Sequence, residues 1–149
     1  MRNLYERILH VLGRPISDPG STEVMRALGP PSRIWESGND RSYFFEELCL
    51  AYNKLTEQFQ MVGFEYNEKE ESMPFPDRFH PDLTSEDTPN EVEKKLGVKA
   101  KYKTTFEDRT GGWGEVRLYH LPPLSFQCEF EGPSCLLSRI TVRLIQNES

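Results

Sequence analysis

Three cysteines, Cys49, Cys128 and Cys135, and three histidines, His10, His80 and His120, are the side chains here suited to nucleophilic or metal chemistry. A Cys-His-acid set can be drawn from Cys128, His120 and Glu115. Nucleophilic catalysis needs those groups in contact, and spacing alone does not supply that. No His-x-x-x-His or Glu-x-x-His spacing occurs, so zinc has no ligand motif. Glu65, Glu68 and Asp77 offer the oxygens calcium takes but fit no calcium-loop period. Gly111-Gly112-Trp113-Gly114 lacks the Lys-Ser/Thr of a phosphate loop and reads as a turn. Cys128 and Cys135 are expected on adjacent strands as buried, reduced thiols. The expectation is therefore no enzyme, no catalytic residue, no metal and no cofactor.

What remains is recognition through a surface. Interface centres favour Trp, Tyr and Arg. The candidate anchors are Trp35, Tyr43, Phe45, Tyr52, Trp113 and Tyr119. Trp35 opens a polar run over residues 35–41 that reads as a loop. Tyr43 and Phe45 alternate onto one face of a strand and Phe44 onto the other.

Charge adds a second candidate feature. Residues 65–91 hold nine acidic and two basic side chains, a net of −7, while the rest of the chain sums to +1. With Pro74, Pro76 and Pro81 this stretch reads as a connector loop. Glu65, Glu68, Glu70, Glu71 and Asp77 are its candidate binding acids, suited to a basic partner. A net charge of −6 over 149 residues disfavours nucleic acid, whose backbone selects basic surfaces.

These groups need elements to hold them. Leu4, Ile8 and Val11 or Leu12 form a helical stripe that Gly13 and Pro15 end. A second helix carries Val24 and Leu28 on one face and stops at Gly29, with Gly20 as its weak cap. A third has Thr88 as cap, Pro89 in its first turn, Glu91 completing a capping box, Val92 and Leu96 on one face, and Gly97 as its stop. Strands are expected over residues 42–47, 49–53, 58–66, 114–120, 125–130 and 136–144. Pro122-Pro123 separates two of them.

A gap-free offset of 68 residues relates the two halves. Glu23-Val24 and Leu28-Gly29 match Glu91-Val92 and Leu96-Gly97, and Phe45, Glu47 and Leu50 align with Trp113, Glu115 and Leu118. The expected fold is α+β: two tandem helix-plus-antiparallel-strand repeats forming one sheet, with short helices on one face, plus an N-terminal helix. The expected boundaries are 1–13 for that helix, 14–66 for the first repeat, 67–84 for the acidic connector and 85–149 for the second repeat.

The unit carried by these Glu-Val and Leu-Gly pairs resembles the immunity proteins of bacterial toxin systems. Its tandem layout is similar to the beta-lactamase inhibitory protein fold. The resemblance implies a protein-binding inhibitor whose partner is a basic toxin domain. The alternatives are a structural or assembly domain without inhibitory role and, behind it, a small-ligand binder or enzyme. The opening residues lack an apolar signal core, no stretch approaches the ~20 apolar residues of a membrane span, and the cysteine count is odd. The expected location is the cytoplasm, with no membrane partner.

Overall fold

The computed structural model describes residues 4–45, 48–65, 83–84, 86–107 and 112–145. The chain divides into two compact units, Met1–Phe64 and Glu65–Ser149.

The first unit begins with helix α1 (Leu4–His10). Ile8, Val11 and Leu12 are buried, as their helical spacing requires. Gly13 takes φ 84°, turning the chain so that its N–H donates to the Phe59 carbonyl at 2.7 Å. Helix α2 (Pro19–Leu28) is capped by Asp18, whose carboxylate accepts from Gly20 N–H at 3.0 Å. The cap thus lies two residues before the expected Gly20. Asp18 with Pro19 at the first helical position is the stronger chemistry. Ser21 and Val24 form the buried face.

Four antiparallel strands follow in sequence order: β1 (Arg33–Ser37), β2 (Asp40–Phe44), β3 (Cys49–Asn53) and β4 (Gln58–Glu65). Ser37 and Asp40 pair across a two-residue Gly38-Asn39 loop, with Gly38 at φ 59°. Asn53 Oδ1 accepts from Leu55 N–H and Thr56 N–H and shapes the β3–β4 turn. Register puts Tyr43, Leu50 and Val62 on one face, joined by Tyr52 and Phe59. All five are buried. Tyr52 meets Phe59 edge-on, with ring centroids 5.1 Å apart.

After Glu65, the described residues of the second unit resume at 83, with Leu83 and Asp87 buried. Asp87 accepts from Thr84 N–H at 2.9 Å and pairs with Lys95 at 2.7 Å, while its carbonyl accepts from Leu137 N–H at 2.9 Å. Helix α3 (Pro89–Leu96) carries the expected Thr88–Glu91 capping box and Gly97 stop, and it buries Pro89, Val92 and Leu96. The strands β5 (Tyr102–Glu107), β6 (Trp113–Leu121), β7 (Leu124–Glu131) and β8 (Leu136–Leu144) again pair antiparallel with their sequence neighbours. Tyr119, Phe126 and Val142 form one buried row, and Cys128 and Ile140 another. Arg117 Nη1 reaches Glu93 on α3 at 2.8 Å and ties that helix to β6.

The structure corrects the tandem-repeat expectation. Strand dominates: among the described residues eight strands stand against three helices of 7, 10 and 8 residues. The 68-residue offset holds from Val24 to Gly29 and carries β1 onto residues 101–105, largely β5, and then fails. It carries β3 onto β6 and β4 onto β7, skipping a strand. It also misses the helix starts, since the caps Asp18 and Thr88 are 70 residues apart. The N-terminal helix is part of the first unit, bound to it through Gly13 and Phe59.

Candidate protein-binding surface

The exposed aromatic candidates sit at strand edges and ends. β1 is the outermost strand of its unit, and all five of its residues are exposed. Trp35 is 56 % exposed and Ile34 is 54 % exposed, on opposite faces of the strand. Trp35 is therefore no lid over the core. It pairs with Ser42 in a row that continues to Ala51 and Met61, on the face opposite Tyr43. Beside it, the Arg33 guanidinium lies 4.3 Å from the Phe44 ring centroid. On the Ile34 face, Glu36 pairs with Arg41 and with Lys54. The Arg41 hydrogen bond holds the Glu36 carboxyl below its ordinary range.

The remaining candidates divide sharply. Trp113, at the start of β6, is 71 % exposed. Tyr43 and Tyr52 are core residues packed on Phe59, and Tyr119 is wholly buried in the second unit. These three tyrosines are corrections: period-2 alternation places them with the apolar core rows, not on a recognition face. Phe45 is half-buried just past β2, its N–H donating to the Leu48 carbonyl at 2.8 Å. Glu65 ends β4, and its side chain lies outside the described residues. Glu68, Glu70, Glu71 and Asp77 also lie outside them.

Register separates the one imagined catalytic set. Arg117 pairs with Cys128 and His120 with Ser125, so Cys128 and His120 project from opposite faces of the sheet. Burial pushes the Cys128 thiol up to about 12, far from a reactive thiolate. Cys135 is half-buried in the turn before β8 at φ 53°, not buried on a strand as expected. All three thiols are free. Among the described residues no group of three or more His, Cys, Asp or Glu side chains is arranged to hold a metal ion. No helix among them is long and apolar enough to cross a membrane.

Two surface strands were not anticipated. Both β1 and β5 are open to solvent, so neither shows the alternation that marks a half-buried strand. The available signals were the Gly38-Asn39 hairpin loop and the Tyr, Thr and Phe content of residues 102–107.

No family model and no curated protein matches this chain. In fold it is similar to the solved structure of a cysteine-rich secretory protein from Staphylococcus aureus, with a TM-score of 0.53 and 12 % identity. The likeness covers 87 % of this chain and 46 % of that one, so this chain spans less than half of that protein's length.

Proposed function

We propose that this chain is a non-catalytic protein-binding module whose first recognition element is β1, with Trp35 as anchor. The observation that carries the reading is a tryptophan more than half exposed on an outermost strand, beside an equally exposed Ile34. A large aromatic left in water stabilises a partner's docking more than it stabilises this fold. The open edge of β1 supplies N–H and C=O groups for an added strand. The expected partner is a protein carrying positive charge, steered by the acidic residues 65–91, in a reducing, cytoplasmic compartment. The particular role proposed is immunity-type inhibition of a toxin, supported by the sequence resemblance alone.

Affinity capture on wild-type and Trp35→Ala protein tests the module. A partner retained by the first and lost by the second supports it; equal capture, or none, counts against β1. Growth rescue from a co-expressed toxin encoded beside this chain tests the inhibitory role, and failure there with partner capture intact leaves a structural or assembly module.

A further inference from the structure

The second unit carries a surface of opposite charge at the start of its own outermost strand. Lys99, Lys101 and Lys103 line a shallow pocket of about 330 Å³ together with Glu93, Ala100, Tyr102 and Arg117. Glu93 is already engaged by Arg117 at 2.8 Å. Among the described residues no acid pairs with any of the three lysines.

Lys101 N–H donates to the Leu118 carbonyl at 2.7 Å, just before the β5 pairing begins at Tyr102. Lys103 faces Arg117 across the strands and shares its side of the sheet. Residues two apart in an extended chain share a face. Within β5, Lys103 therefore lies on the side of Arg117 and α3, and Tyr102, 57 % exposed, alternates with it, while Lys99 and Lys101 precede the strand and line the same pocket. β5 ends the strand order, so among the described residues one of its edges has no strand beside it.

We infer that β5 accepts an acidic, extended polypeptide segment as an added strand, with carboxylates at alternate positions on the side of Lys103 and Arg117 and an apolar residue between them on the Tyr102 side. Strand addition supplies main-chain hydrogen bonds, and alternate side chains supply the selection. A strand with Glu or Asp at positions i and i+2 places both carboxylates on one face, toward Lys103 and the neighbouring pocket lysines. The apolar residue at i+1 then falls on the Tyr102 side. A lysine is a point charge without a fixed fork, so the cluster selects acidity rather than one carboxylate geometry.

The test uses the full chain and a fluorescein-labelled peptide containing Glu-Val-Glu-Val-Glu, read by fluorescence anisotropy at two salt concentrations. Saturable binding that weakens with salt is expected, and Lys101→Glu with Lys103→Glu should weaken it on the order of tenfold. The triple change of Lys99, Lys101 and Lys103 to Gln is the milder second variant, and circular dichroism confirms that each is folded. Two further peptides, N-methylated at the Val or at the Glu positions, keep the charge and block alternate backbone donors. One of the two must lose binding if a strand is added. Absence of parent binding, equal binding of both methylated peptides, or tighter lysine-dependent binding of a single-stranded oligonucleotide would each overturn the proposal.

Discussion

Trp35 shows how exposure redirects the reading of one residue. As a lid it would contribute to folding; at 56 % exposed its truncation should move stability by no more than about 0.5 kcal/mol. The same change should raise the partner's dissociation rate, costing about 2 kcal/mol or more if Trp35 is a hot spot. Urea melts and surface plasmon resonance on one preparation separate the two effects. Gly114 lies at the other extreme. A Cβ there would stand 2.7 Å from the Phe130 carbonyl oxygen and enter the Phe106 ring. Gly114→Ala should therefore destabilise by about 1–3 kcal/mol in a urea melt. Cys128 gives a pH dependence. Its thiol rises from 9.0 to about 12 on burial, and the Tyr119 phenol, also by burial, from 10.0 to about 12. Between those values the unfolded chain has released protons that the folded chain keeps, so stability should fall as pH rises through that window. Cys128→Val should flatten part of the fall.

At the level of elements, legibility followed burial. α3 was readable to the residue because Thr88, Pro89, Glu91 and Gly97 each do a job set by backbone chemistry. The core strands β7 and β8 were readable because one face of each is dry. β1 and β5 were not, because a strand wet on both faces imposes no alternation. The candidate site suffered in the opposite direction. Tyr43, Tyr52 and Tyr119 have the composition of an interface, and only pairing register shows that they face the core. The repeat failed for a related reason: helix stops recur cheaply, while strand register does not tolerate an uncounted strand. For α3 the consequence is energetic. Leu96 is 6 % exposed, so Leu96→Ala should cost about 2–5 kcal/mol.

For the whole molecule, the two proposed surfaces make opposite electrostatic demands. Residues 65–91 carry −7, and the Lys99–Lys103 cluster is basic. Neutralising Glu68, Glu70 and Glu71 together should slow association with a basic partner and flatten its salt dependence, leaving dissociation unchanged. The lysine variants should leave that partner's kinetics as they are. The chain also holds a built-in way to tell which surface is occupied. It has two tryptophans, one in each unit, and both are more than half exposed. Each indole is thus open to a dissolved quencher before any partner arrives. In a Trp113→Phe protein the fluorescence comes from Trp35 alone, and in a Trp35→Phe protein from Trp113 alone. Shielding from acrylamide in the first protein would report occupation of β1 without any attached dye, and an unshielded Trp113 in the second would show that the occupant stops there.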